Sequence, residues 1–288
     1  MSISVAILTP NPADESFTSR WRDVLERMTV PLVAEGISVH SRSWVEDGGE
    51  LGEFDLVLPL VAWGYHRDHA DWLTTLDGWA FEGVRVQNPA SVLRWNSDKQ
   101  YLERLLRLGA PVIPTLFVDD LQPADLDEAA AAFGTDELIV KPQISAGAYK
   151  TLRVRPGGNI EEGPLGPAMI QPFLDQVSGE GELSLLYFNG EFSHGVRKIA
   201  AAGDFRTQPD WGGLVSDYQP EPDVLAAAAR VLQEVEEPLL YARVDLVRDA
   251  AGKPQLMELE LVEPDLYLGY EPEAAGRFAR AVRLAAEA

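Results

Sequence analysis

The chain has 288 residues, 46% of them hydrophobic, and its 24 Lys and Arg against 46 Asp and Glu give a formal net charge of −22. That balance excludes a general affinity for a nucleic-acid backbone or an anionic membrane, both of which need cations to meet phosphate. Cysteine is absent, which removes disulfides, thiolate metal sites and Cys nucleophiles, and no apolar run approaches the ~20 residues of a membrane span.

Met1 to Pro10 carries no basic region, so Ile3 to Thr9 reads as a buried first strand and not as a signal peptide, and a cytoplasmic location is expected. Residues 17–34 have helical spacing at Trp21, Val24, Leu25 and Met28, interrupted by Pro31. Strands are expected at 37–44 and 54–60, a helix at 69–80, and a short strand at 84–88 stopped by Pro89. This alternation through residue 90 implies an α/β layer with a parallel sheet. An amphipathic helix is expected at 97–108, N-capped by Ser97 and closed by Gly109. Strands at 112–118 and 138–141 flank an Ala-rich helix at 123–133. After Thr151 the texture becomes hairpin-like, with strands at 152–155, 168–171, 183–188 and 191–199, the last two joined by Asn189-Gly190. A helix at 222–235, strands at 240–248 and 255–262 and a helix at 273–286 close the chain. The plan is α/β followed by α+β.

The chemistry begins with carboxylates near the end. Glu258 and Glu260 alternate on one strand face, and Asp245 shares that face if the last two strands pair as a hairpin. Three carboxylates on one face repel unless solvated or neutralised, and oxygen-only ligands suit Mg²⁺; an ordinary wet sheet face is the alternative. Lys141 ends an apolar strand, and Lys99 opens a helix where its charge opposes the dipole. Each also fits a snorkelling surface lysine. The loop Ser145-Ala146-Gly147-Ala148 is small enough for backbone amides to approach phosphate, and it is neither a Walker A loop nor GxGxxG. Gln171-Pro172-Phe173-Leu174 offers backbone and apolar cover to an adenine edge, or is a plain strand end, and is followed by Glu180 and Glu182. Arg197, Lys198 and Arg206, leading to Gly212-Gly213, form a basic segment suited to a carboxylate or a transferring phosphoryl group. The loop Trp63-Gly64-Tyr65-His66-Arg67 follows a strand at its carboxyl end, where α/β sheets bind ligands, and Arg67 or His66 can meet a substrate carboxylate there.

This order of motifs resembles the ATP-grasp superfamily, with a layout similar to that of bacterial glutathione synthetase, from about Asn96 to Pro264. Leu93-Arg94-Trp95-Asn96-Ser97-Asp98-Lys99, Ile113-Pro114-Thr115, Lys141-Pro142, Glu258-Leu259-Glu260 and Glu263-Pro264 are similar to a bacterial subgroup that includes the cyclo-ligase forming D-cycloserine from O-ureido-D-serine. The resemblance implies an ATP-grasp fold: a pre-ATP-grasp α/β domain at 1–95, a first lobe at 96–175 and a C-terminal lobe at 176–288. It implies ATP held by Lys99, Lys141, Ser145, Ala146, Gly147 and Ala148, with an adenine hinge at Gln171, Phe173 and Leu174 and Glu182 or Glu180 at the ribose. It assigns catalysis to Arg206 and Lys198, substrate binding to Arg67, Gly212 and Gly213, and two Mg²⁺ (or Mn²⁺) to Asp245, Glu258 and Glu260. Glu260 stands where the synthetases carry Asn, and Lys198 where they usually carry Arg. The implied reaction is ATP-dependent ligation of a small amino-acid-like carboxylate to an amine through an acyl phosphate. The rival classes are an ATP-grasp kinase of a small acceptor and a non-catalytic nucleotide-binding protein. The seven Trp, read as largely exposed, leave room for a homodimer.

Overall fold

The computed structural model describes residues 3–14, 16, 17, 20–46 and 48–288. Met1 and Ser2 of the expected N-terminal run, and Thr18 and Ser19 of the expected first helix, lie outside the described residues. The first sheet is parallel, in the order β2-β1-β3, from β1 (Ser4–Thr9), β2 (Ser38–Ser43) and β3 (Leu56–Leu58). Side chains of β1 alternate between two buried faces. Val5 and Ile7 pack with Val24, Met28 and Leu32 of α1 (Arg20–Ala34), while Ala6 and Leu8 share a core with Trp72 and Trp79 of α3 (His69–Glu82), beyond the short α2 (Gly48–Leu51). Helix α1 continues through Pro31. Leu32, fully buried one residue later, anchors the last turn, and packing outweighs the one lost backbone bond. The strand expected at 84–88 is reduced to one parallel bridge, Val57 to Val86.

The helix expected at 97–108 is two helices, α4 (Ala90–Asn96) and α5 (Tyr101–Arg107). Ser97 closes the first instead of opening the second, its amide bonding to Leu93 O. The break is imposed from a distance, because the Lys99 amide donates to the Gln143 carbonyl at 3.0 Å and cannot join a helix. Gly109, with φ +83°, ends α5 as expected.

The second sheet, β4-β7-β5-β6, comprises β4 (Leu116–Val118), β5 (Leu138–Pro142), β6 (Leu152–Val154) and β7 (Ala168–Pro172), backed by α6 (Pro123–Phe133). The third, β10-β9-β8-β11-β12, comprises β8 (Glu182–Phe188), β9 (Glu191–Ile199), β10 (Leu214–Tyr218), β11 (Tyr241–Arg248) and β12 (Pro254–Glu260), with α7 (Gln176–Gly179), α8 (Pro222–Leu232) and α9 (Ala274–Glu287). Edge strand β10 gave no sequence signal, because Leu214 at its start is 73% exposed and its polar face is not alternated with a buried one. The outer side of β12 is closed by side chains. Asn96 donates to Leu259 O and accepts from Leu261 N, both at 2.8 Å, and the Tyr101 hydroxyl accepts from Leu259 N at 2.8 Å. Trp44, Trp72 and Trp79 are buried in one aromatic stack, and Trp211 alone among the described Trp is exposed, so the expected Trp-rich surface does not exist.

Candidate active site

Strands β11 and β12 pair antiparallel, with Asp245 opposite Glu258 and Arg243 opposite Glu260. Period-two alternation therefore puts Arg243, Asp245, Glu258 and Glu260 on one face. That face is not the wet side of a sheet. It lines a cavity of about 610 Å³ whose other walls come from the loop after β3, from the second sheet and from residues 205–209. Asp245 is only 1% exposed.

Each carboxylate of the set meets a cation. Arg243 donates to Asp245 at 3.0 Å and pairs with Glu260. Lys99 lies 3.1 Å from Glu258. Lys198 lies 3.4 Å from Asp245 and also pairs with Glu182. Burial pushes the Asp245 carboxyl up, but Arg243 and Lys198 outweigh it and hold the group well below the usual carboxylate range. Glu258 is likewise held down against burial by Lys99 and Lys141. Burial instead carries Glu260 up to about 7. Among the described residues no three acidic or imidazole side chains already converge as a metal-binding group. The donor set still fits a hard divalent cation, because it is all oxygen and occupies one face, and an incoming cation would compete with Lys99 and Arg243 for it.

Lys141 lines the same cavity and is buried, yet its ammonium makes no hydrogen bond or ion pair with any described residue. Burial pulls its pKa down, with Glu258 opposing. The adjoining loop is tied to Lys99, whose ammonium donates to Ser145 O at 2.6 Å. Gly147 and Ala148 both adopt positive φ, and the amides of Ala146, Gly147 and Ala148 have no acceptor among the described residues. Trp211 Nε1 donates to Gly147 O at 3.4 Å, joining this loop to the segment that carries Arg206.

The other expected residues divide. Gln171, Phe173 and Leu174 line the cavity. The Gln171 amide is turned to Thr115 at 2.9 Å, and the Phe173 N–H already meets Glu137 O at 2.8 Å. Glu182 lines the cavity, bonded by Thr207 and Lys198, whereas Glu180 lies outside the lining and pairs with Arg248 at 3.3 Å. Arg206 lines the cavity but is folded onto Asp204 at 2.7 Å and stacked 3.3 Å from the Trp211 ring. Gly212 and Gly213 are not part of the lining. A side chain at Gly213 would collide with the Thr207 carbonyl, so this glycine is required by the turn that brings Thr207 to Glu182. Arg67 is at the cavity rim, held by Asp14 at 3.2 Å and Ser16 Oγ at 2.6 Å and lying 4.3 Å from the Phe17 ring. Phe17 sits so close to Gly64 that a Cβ there would come within 2.9 Å of the ring.

Arg243 and Glu263 are among the cavity residues given no role at the sequence level. Arg243 was legible, two residues before Asp245 and so on its face. Glu263, three residues past Glu260, lies beyond the end of β12 and gave only a motif likeness.

The chain has relatives among known proteins. Residues 5–88 match the family described as D-cycloserine synthetase DcsG, N-terminal domain. The chain is 30% identical over 275 residues to the cycloserine biosynthesis protein DcsG of Streptomyces lavendulae, covering 86% of this chain and 88% of that protein. It is 28% identical over 269 residues to a glutathione synthetase of Prochlorococcus marinus strain MIT 9313, covering 85% and 78% of the two chains. The crystal structure of D-cycloserine synthetase DcsG superposes with a TM-score of 0.83 at 26% identity, over 99% of each chain.

Proposed function

The chain belongs to the ATP-grasp ligases, in the family of the cycloserine biosynthesis protein DcsG, and from that premise we propose that its cavity activates a small amino-acid-like carboxylate with ATP for attack by an amine. The observation that carries this reading is Lys141, a buried ammonium with no ion pair or hydrogen bond to a described residue, in the same cavity as Asp245, Glu258 and Glu260. A buried ammonium without a direct partner is costly, and the phosphates of a nucleotide are anions that would offset that cost.

In this reading the adenine lies against Phe173 and Leu174, with the free Leu174 N–H as donor, and Glu182 sits on the ribose side. Lys141, Lys99 and the amides of residues 146–148 hold the phosphates. Asp245, Glu258 and Glu260 hold Mg²⁺, which when bound neutralises phosphate oxygens as charge builds on them. Arg206 leaves Asp204 to meet the γ-phosphoryl group as it passes to a substrate carboxylate oxygen and ADP departs. The amine then attacks the acyl carbon, phosphate leaves, and the amine's extra proton is lost to it or to solvent. The Trp211–Gly147 contact closes the two loops over the acyl phosphate and keeps water away. Arg67 orients the substrate at the rim, and the three units at 1–95, 96–175 and 176–288 supply rim, nucleotide floor and metal face.

Mg·ATP with a panel of free amino acids, O-ureido-D-serine and dipeptides tests the reading, followed through ADP release and product mass. Acceptor-dependent ADP with a product lighter by water, ammonia or carbon dioxide is expected, and a phosphorylated but unjoined acceptor would replace the ligase with a kinase. Lys141→Ala is expected to weaken ATP binding by about 100-fold in calorimetry. An unchanged affinity would remove Lys141 from the phosphate site.

A further inference from the structure

Around the cavity the charged side chains are matched almost one to one: Lys99 with Glu258, Lys198 with Glu182 and Asp245, Arg243 with Asp245 and Glu260, Arg206 with Asp204, Arg67 with Asp14, and Asp265 with Arg27. Arg20 also has a partner. Among the described residues two charged groups of the lining are left over, one of each sign: Lys141 and Glu263. Lys141 has been given to phosphate above. Glu263 has no cation at ion-pair distance among the described residues, and Arg243 and Lys99 act on it only from further off.

Nor is Glu263 a further member of the carboxylate face. Alternation from Glu258 and Glu260 would continue to Val262, which is buried in the core of the first sheet. Glu263 lies past the last residue of β12 and lines the cavity together with Tyr65 and His66 of the loop after β3. We propose that Glu263 receives the ammonium group of the amino-acid substrate and so makes the ligase select amino acids over simple carboxylic acids. The inference rests on the proposed function and deepens it, since it names the feature of the substrate that is read. Burial and the neighbouring Glu260 push the Glu263 carboxyl up to about 8, and the positive charge of an ammonium beside it would offset both. Tyr65 lies within electrostatic reach of Glu263 and lines the same cavity, so its ring is placed to flank the same cation.

The test uses the full chain with Mg·ATP and the amino acid that the wild type turns over best. Glu263→Gln keeps shape and hydrogen bonding and removes the charge. Its KM for the amino acid is expected to rise by about 30-fold, while its KM for ATP and its Mg²⁺ dependence stay within about 2-fold of wild type. The same acid lacking its amino group, assayed as a competitive inhibitor, should bind wild type far more weakly than the amino acid binds and bind Glu263→Gln equally well as wild type. Glu263→Asp should recover part of the lost affinity, which a misfolded site would not do. An unchanged amino-acid KM, or discrimination that persists in Glu263→Gln, overturns the proposal. A shift confined to the Mg²⁺ dependence overturns it in favour of a metal ligand. If wild type forms ADP with no amino acid at all, the amino-acid reading of the function fails and this inference with it. Turnover by wild type with an unaffected variant sinks the inference alone.

Discussion

Glu258→Gln is expected to fold like the wild type and to form ADP about 10³-fold more slowly. The substitution is nearly isosteric and the Glu258 side chain is 28% exposed through the cavity, so the fold should persist, although leaving buried Lys99 without its ion pair should cost about 1–3 kcal/mol. The electrostatic loss is different in kind. Glu258 is the carboxylate held ionised by two lysines, Lys99 and Lys141, against its own burial. An amide in its place leaves Lys99 without its ion pair, removes the charge that acts on Lys141 from further off, and leaves the metal face with two carboxylates, one of which, Asp245, is already bonded by Arg243, Lys198 and Ser184. A coupled assay for ADP over a Mg²⁺ series checks this, and partial recovery at high Mg²⁺ is expected if metal affinity is what was lost. Wild-type rates at ordinary Mg²⁺ would remove Glu258 from the metal set.

The parts of this site that the sequence revealed are those governed by local periodicity. Glu258 and Glu260 share a face because strand side chains alternate, and Asp245 joins them because the hairpin brings it opposite Glu258. The same rule could have delivered Arg243. What stayed hidden depends on contacts between distant segments. Whether Glu180 or Glu182 enters the cavity is decided by Arg248, 68 residues further on, which draws Glu180 away. Gly213 looked like a ligand-facing glycine, yet its need is the Thr207 carbonyl pressed against it. The break between α4 and α5 is set by Gln143 and β12, neither of which is near in sequence. Three buried Trp were indistinguishable from surface Trp because nothing local marks a side chain that closes the core of a parallel sheet.

Lys198→Met is expected to destabilise the protein by about 3–5 kcal/mol, the usual loss when one member of a buried charge group is removed and its partners stay behind. Lys198 is 2% exposed and lies between Glu182 and Asp245, themselves 3% and 1% exposed. Asp245 keeps Arg243 when the lysine goes, so the stranded charge is chiefly that of Glu182, whose carboxyl burial already pushes up. The double variant Glu182→Gln with Lys198→Met should therefore recover much of the loss, and urea unfolding of the two single variants and the double measures it as a coupling energy. The sequence pointed to Lys198 as a catalytic cation. In the structure its ammonium is consumed by two buried carboxylates, one of which, Glu182, also holds Thr207 and through it the turn that carries Arg206. Activity should fall in Lys198→Met because that turn loosens, and Glu182→Gln with Lys198→Met should regain stability without regaining activity. A variant that melts within about 1 kcal/mol of wild type but cannot release ADP would reverse this assignment, leaving Lys198 in contact with the reacting groups and Glu182 merely beside it.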